Sequence, residues 1–286
     1  MERLRPVNES LNLRVAASVD EAVSALKGAA FAKVLSGGMS LLPLMKLRLL
    51  SPDLVVDIGR ISGLDTISDN GDHVAIGALV RHHQTAASGA VPDALKTAAA
   101  WTGDVQVRNR GTTVGSVVHG DIAADQPAAV LALGGTIVVH GPGGTREIAA
   151  SDFFLDAMTT AVAPDEIAIE VRIPKDGGSS GYDKLGRRGG HTDYAVAGAA
   201  AWVKRSNGSV SDCRVALTGV AAKPTLAAAT AQALIGTDGS AQAVAEAAAK
   251  AADGLTVLED LYGTVEYKTH LATVFAKRAL MKALAG

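Results

Sequence analysis

The spacing of apolar residues changes character along the chain and predicts three units. In SVDEAVSALKG, Ser18 and Glu21 stand at capping-box spacing, apolar residues follow at helical intervals, and Gly28 ends the run. KVL, just before Gly37, and LVVDI (Leu54 to Ile58) are short apolar runs that read as strands. This strand–helix–strand rhythm predicts a small α/β unit over residues 1–61. In the next stretch, HVAIGAL reads as a strand, VPDALKTAAAW as a helix, and DQPAAVLALGG as a short helix ended by Gly134 or Gly135. TIVVHGPGGTREIA has the form of a hairpin around a Gly/Pro turn, and the alternation in EIAIEVRIP closes a second unit over residues 62–175.

PKDGGSSG, Pro174 to Gly181, has the composition of a linker. Beyond it, over residues 176–286, two strand-like runs in YAVAGAAAWVKRSNGSVSDCRVALTGVA meet at Asn207-Gly208, a strong short-range hairpin signal. The remainder is alanine-rich and helical to YKTHLATVFAKRALMKAL, so the third unit is expected to be an antiparallel sheet with helices on it. The fold class is α+β.

Composition narrows the function. A chain of 286 residues suits two medium domains or one large one. Net charge is −2 and no basic stripe with interleaved aromatics occurs, which argues against nucleic acid as a partner. No apolar run is long enough to span a bilayer, and MERLRPVNES lacks the apolar core of a signal peptide; the expectation is a cytoplasmic protein. Cys213 is the single cysteine, so an intrachain disulfide is impossible and four thiolates for an iron–sulfur cluster are lacking. If the chain serves redox chemistry, the metal centres lie on other chains.

Two glycine-bearing stretches carry the candidate chemistry: SGGMS (Ser36 to Ser40) and RNRGTTVGSVVHGDIAAD (Arg108 to Asp125). Neither matches G-x-G-x-x-G or G-x-x-x-x-G-K-(S/T). Adjacent glycines nevertheless let successive N–H groups point at one anion, and a helix starting beside them adds free N–H groups. Ser36, Ser40, Thr112, Thr113 and Ser116 would add hydroxyl donors. Lying about seventy residues apart in different units, the two stretches could clamp a pyrophosphate from both sides. The alternative is that Gly37-Gly38 is only a tight strand-to-helix turn.

A resemblance bears on that choice. LSGGMSLLPLMKLRLLSPDLVVDIGRI resembles the first flavin motif, A-G-G-(Q/H)-S-L-L-P-x-M-K-L-R, of the FAD-binding medium subunits of the molybdenum hydroxylases. That family includes carbon monoxide dehydrogenase, xanthine dehydrogenase and bacterial N-heterocycle dehydrogenases. VRNRGTTVGSVVHGDIAADQPAAVLALGG resembles its second motif, and YDKLGRRGGHTDYAVAGAAA the opening of its C-terminal domain. The resemblance covers nearly the whole chain in order. It implies two α/β subdomains of the vanillyl-alcohol-oxidase (PCMH) type FAD-binding fold, then a C-terminal domain with a small antiparallel sheet and helices.

The same resemblance implies site residues. Ser36, Gly37, Gly38, Met39 and Ser40, with Thr112, Thr113, Val114, Gly115 and Ser116, would hold the FAD pyrophosphate. Asp125 falls on an acid near the ribityl and phosphate region. Ala168 falls where a relative has a flavin-contacting leucine; its backbone could serve, but its side chain is too small to pack the same way. Lys184 falls on a lysine near the flavin ring, and Tyr194 on an aromatic at the flavin. The chain departs from the pattern at Met39 (Gln or His in relatives), at Val114 in place of a glycine, and at Gly120 and Ile122. No catalytic nucleophile and no metal ligand is assigned to this chain.

The resemblance also implies partners: a small chain with two 2Fe–2S clusters and a large chain with a molybdopterin cytosine dinucleotide-type molybdenum cofactor, the trio doubled into a dimer of heterotrimers. This oxidoreductase subunit would pass electrons from the clusters through FAD to an external acceptor. Two rivals stand beside it, a stand-alone flavin oxidoreductase and a scaffold without cofactor.

Other polar residues have plainer readings. His119, Asp121 and Asp125 form H-x-D-x3-D, without a second histidine for a metal site. Asp125 could instead cap the helix containing Pro127. His82 and His83 are expected to be solvated, Arg108 and Arg110 to order the glycine loop or meet phosphate, and Trp101, Trp202 and Cys213 to be core.

Overall fold

Local signals place the first elements. Ser18 Oγ accepts the Glu21 N–H at 3.1 Å, while the Glu21 carboxylate reaches back to the Ala17 N–H at 2.9 Å, one residue earlier than a capping box requires. The computed structural model describes residues 12–286. MERLRPVNES and the start of the expected first unit lie outside the described residues.

The N-terminal elements are β1 (Leu13–Val15), α1 (Val19–Lys27), β2 (Ala32–Leu35), α2 (Leu41–Lys46) and β3 (Leu54–Asp57). Both β1 and β2 pair parallel to β3, giving the order β1-β3-β2. Parallel neighbours need crossovers, which α1 and α2 supply. α1 buries Ala22, Val23, Ala25 and Leu26.

A second, antiparallel sheet has the order β4-β5-β10-β6-β7. Its elements run β4 (Ile67–Asp69), β5 (His73–Gly77), α3 (His82–Ala87), α4 (Asp93–Ala100), α5 (Val105–Arg110), α6 (Thr113–His119), α7 (Asp125–Ala132), β6 (Thr136–Gly141), β7 (Gly144–Ala149), α8 (Ala150–Phe153), β8 (Phe154–Asp156), β9 (Thr159–Thr160) and β10 (Ile167–Pro174). The five helices α3–α7 between β5 and β6 carry the second glycine stretch.

The third sheet is β11 (Ser179–Gly186), β12 (Ala195–Ser206), β13 (Ser209–Thr218) and β14 (Thr225–Leu226), antiparallel throughout, followed by α9 (Ala228–Leu234), α10 (Ala241–Ala248) and α11 (Val265–Ala285). Asn207 (φ 51°) and Gly208 (φ 82°) are both left-handed, as a two-residue hairpin of the primed type needs. The expected linker shrinks to Lys175–Gly178, because β10 runs through Pro174 and β11 starts at Ser179.

The strand β12 is a wall between two cores. Ala200 and Trp202 pack with the core of the first two sheets, whereas Ala199, Ala201 and Val203 pack with Leu271, Phe275 and Leu280 of α11. The period of two puts alternate residues on opposite faces, and burial on both faces explains the nearly unbroken apolar run. Alanine at most of these positions keeps both layers close. Trp202 is core as expected, but Trp101 is only partly buried and stacks on His191 with centroids 3.7 Å apart.

Cys213, on the helix-facing side of β13, is 4% exposed, and burial pushes its thiol up to about 12. An Ellman titration of the native chain at pH 8 is expected to leave it unmodified, with one thiol per chain appearing only on denaturation. Rapid native labelling would show that this core opens.

Candidate functional site

The two glycine stretches meet. A Cβ on Gly37 would lie 2.2 Å from the Arg110 carbonyl oxygen and 2.7 Å from Gly111 Cα, so only a bare backbone fits there. Gly38 follows with φ +76°, the left-handed region that glycine enters freely. Ser36 Oγ donates to the Ala78 carbonyl at 2.9 Å; with its proton spent, it accepts from Thr112 Oγ1 at 3.0 Å. One hydroxyl pair thus bolts β2 to the start of α6.

Around this contact lies a cavity of about 950 Å³, within the range of sites that hold large ligands. Twelve of the fourteen expected residues line it: Ser36, Gly37, Gly38, Met39, Ser40, Thr112, Val114, Gly115, Ser116, Asp125, Ala168 and Tyr194. Thr113 and Lys184 do not. Thr113 is fully buried, its N–H bonded to the Val80 carbonyl at 3.0 Å and its hydroxyl to Thr85 Oγ1 at 2.7 Å. Its side chain therefore turns into the core. Val114 sits in the first turn of a helix, 1% exposed, so it needs none of the backbone freedom of the glycine it replaces.

The donors differ from the expected set. Thr112 caps α6 by accepting the Gly115 N–H at 3.2 Å and gives its proton to Ser36. Ser116 donates to Gln126 Oε1 at 2.9 Å. Most hydroxyls of the two stretches are thus consumed inside the protein. What remains open is backbone: among the described residues, the N–H groups of Gly37, Gly38, Met39 and Ser40 have no acceptor, and Ser40 makes no capping bond to α2. Such a run of unpaired N–H groups is a cradle for an anion.

Asp125 occupies the far side. It does not cap α7, whose N-cap is Ala124. Its Oδ1 accepts from Tyr182 at 2.5 Å, and its Oδ2 from Lys184 Nζ at 2.7 Å and Thr102 at 3.3 Å. Burial pushes this carboxyl up, and the Lys184 ammonium pulls it back. Lys184 Nζ also donates to the carbonyls of Trp101 and Asp193, so its three protons are all used. The lysine expected at the ring thus stands behind Asp125. Tyr194 is 41% exposed; burial pushes its phenol up, opposed by the nearby Ser40 hydroxyl.

Sequence reading missed His82, the residues that join it to Asp125, and the role of Arg108. His82 is 3% exposed, not solvated, and burial lowers its pKa to about 4. Arg108 donates to the Thr102 and Gly103 carbonyls at 3.3 and 2.7 Å, ordering that turn, while Arg110 is exposed. His119 and Asp121 line the cavity, but Asp121 binds the Ala123 N–H, and the described residues assemble no group of three metal ligands.

Two N-terminal units thus share a cavity edged by unpaired N–H groups, with a sheet-and-helix domain closing one side, an arrangement suited to an anionic ligand. Comparison with known proteins agrees. Residues 9–176 match the family described as the FAD binding domain in molybdopterin dehydrogenase, and residues 180–283 match the CO dehydrogenase flavoprotein C-terminal domain. The carbon monoxide dehydrogenase medium chain of Hydrogenophaga pseudoflava is 39% identical over 94% of this chain and 95% of its own. The nicotine 6-hydroxylase medium subunit of Paenarthrobacter nicotinovorans is 34% identical over 93% and 95%. A solved structure of carbon monoxide dehydrogenase from H. pseudoflava superimposes with a TM-score of 0.91 at 38% identity, over 98% of this chain and 99% of the other. The chain belongs to the FAD-binding medium subunits of the molybdenum hydroxylases, a family of oxidoreductase subunits.

Two predictions concern the buried polar groups. Lys184→Met leaves Asp125 without its cation and should cost about 3–5 kcal/mol in urea denaturation; adding Asp125→Leu should recover much of that loss. An unaffected single variant would show that the pair carries no charge. His82 binds a proton more readily unfolded than folded, so its stability contribution is complete above pH 6.5 and is lost as pH falls towards about 4. Between pH 7 and 4.5 the wild type should lose up to about 3 kcal/mol more than His82→Gln; parallel losses would deny His82 this role.

Proposed function

We propose that this chain holds FAD in the cavity, with the pyrophosphate against Ser36–Ser40 and Thr112–Ser116, and links iron–sulfur clusters on a small partner chain to an external electron acceptor. The observation that carries this reading is the set of unpaired N–H groups at Gly37–Ser40, buttressed from behind by Arg110 and Gly111. A phosphate oxygen would satisfy them without any cation from the protein. When bound, FAD supplies the exchange of electrons between one- and two-electron partners.

The chain's own residues bind and orient. Gly37 and Gly38 present the backbone, and Thr112 and Gly115 fix the first turn of α6. Tyr194, on the lining contributed by the C-terminal domain, covers part of the cavity, and Ala168 contributes its backbone from a bulge in β10. Asp125 faces the cavity with its charge balanced by Lys184, so the pair adds little net field to whatever lies beside it. No side chain in the site is arranged as a nucleophile with a base.

In this reading a large partner chain holds the molybdenum cofactor and oxidises the substrate. The lone, buried Cys213 supports placing the clusters elsewhere. The substrates named for the relatives support placing substrate choice elsewhere too: carbon monoxide and nicotine differ entirely, yet the two medium chains are similarly related to this one. Doubling of the heterotrimer, a cytoplasmic location and the identity of the acceptor belong to the same proposal. No helix among the described residues is long and apolar enough to cross a membrane.

Purification of the chain with its native partners tests the reading. Flavin absorbance, FAD released on denaturation and two further chains are expected. Gly38→Asp places a carboxylate in the cradle and should abolish flavin retention; full flavin content in that variant would remove Gly38 from the site. A colourless complex that takes up no added FAD would favour a scaffold.

A further inference from the structure

The cradle has one side-chain donor that sequence reading passed over. His82 opens α3, lines the cavity and is 3% exposed. Its ring packs edge-on against the second glycine stretch: a Cβ on Gly111 would fall 2.9 Å from His82 Cδ2 and 3.0 Å from Nε2. The His82 N–H bonds the Gly111 carbonyl at 3.0 Å. Gly37, Gly111 and the imidazole are therefore successive layers of one packed wall.

The surrounding hydrogen bonds fix where the imidazole proton sits. Thr102 Oγ1 has three neighbours: the Ala98 carbonyl at 2.8 Å, Asp125 Oδ2 at 3.3 Å and the Gln126 amide nitrogen at 2.6 Å. The carbonyl and the Lys184-paired carboxylate only accept, so the single hydroxyl proton of Thr102 goes to one of them. Gln126 must then donate to Thr102, which sets its amide orientation. The opposite end agrees, because Gln126 Oε1 receives the Ser116 proton at 2.9 Å. The same Gln126 nitrogen lies 3.1 Å from His82 Nδ1, which therefore accepts. A neutral imidazole accepting at Nδ1 carries its proton on Nε2. That N–H has no acceptor among the described residues, and the residue lines the cavity, so the donor is free to meet a ligand there.

We propose that His82 Nε2–H is a hydrogen-bond donor to an anionic pyrophosphate oxygen of the bound dinucleotide, completing a cradle otherwise made of backbone. The proposal rests on the FAD reading above. It explains why the ring is held on two sides, by Gln126 at Nδ1 and by Gly111 at its edge. Burial, with Arg108 nearby, keeps the ring uncharged at neutral pH, so the donor state persists there.

The test uses the full chain in its complex, deflavinated and titrated with FAD, in wild-type, His82→Leu and His82→Gln forms. Glutamine keeps an N–H donor of similar reach; leucine removes it. Expected are a roughly tenfold to hundredfold weaker FAD affinity for His82→Leu, a shift in a 31P resonance of bound FAD, and substantial recovery of both in His82→Gln. Equal affinities with unchanged 31P spectra in all three proteins overturn the role of His82 while leaving the FAD reading intact. A wild-type complex that takes up no FAD overturns the FAD reading, and this proposal with it. Should His82→Leu fail to fold, wild-type 15N spectra decide: an Nε2–H whose resonance moves and whose exchange slows on adding FAD supports the contact, and an unmoved one overturns it.

Discussion

The backbone at Arg110 and Gly111 approaches Gly37 so closely that Gly37 can carry no side chain, and much of the site follows from that contact. It brings the turn after β2 onto the turn before α6, where Thr112 Oγ1 donates to Ser36 Oγ. Hydroxyls so engaged cannot serve a ligand, while the backbone of Gly37–Ser40 cannot fold back into any ladder and stays unpaired. A polar concavity results from a packing constraint, and the donors it leaves unpaired are fixed backbone N–H dipoles.

A second constraint acts from the C-terminal side. Lys184 crosses from β11 to reach Asp125 on α7, and Tyr182 from the same strand takes the other carboxylate oxygen. Both side chains are enclosed, and the ion pair is supported because all three Lys184 protons find acceptors and each Asp125 oxygen has a donor. Thr102, Gln126, Ser116 and His82 extend that matching to the glycine loops. The domain contributing Tyr194 to the cavity is thereby registered against the domain holding the cradle by a continuous polar seam through an otherwise alanine-rich interface.

Much of this was legible in the sequence, for identifiable reasons. Strong local signals survived folding: the Ser18 cap, the Asn207-Gly208 hairpin, the alternation in β10 and the stop after Leu133. Long motifs located the two glycine stretches and most of the residues that line the cavity. What escaped were features whose meaning depends on distant partners. The start of β11, residues 179–181, reads as linker from its Gly/Ser composition, and the burial of Asp183 and Lys184 further along makes sense only with Lys282 and Asp125 opposite. His82 looked like one of two solvated histidines because nothing local shows that Gly111 and Gln126 enclose it. The direction of Thr113 was invisible for the same reason: only Thr85, on another helix, reveals it.

The cavity lining draws on residues from near Leu26 to Tyr194, so no single unit owns the pocket. A ligand seated there touches segments that would separate if the seam opened. Its binding free energy is then added to the cohesion of the whole chain, in proportion to the logarithm of its free concentration over its dissociation constant. With FAD in the cavity as proposed, cofactor supply would become a control on the lifetime of the polypeptide. A cell short of flavin would hold this subunit in a form nearer to proteolysis, independently of any change in its catalytic rate.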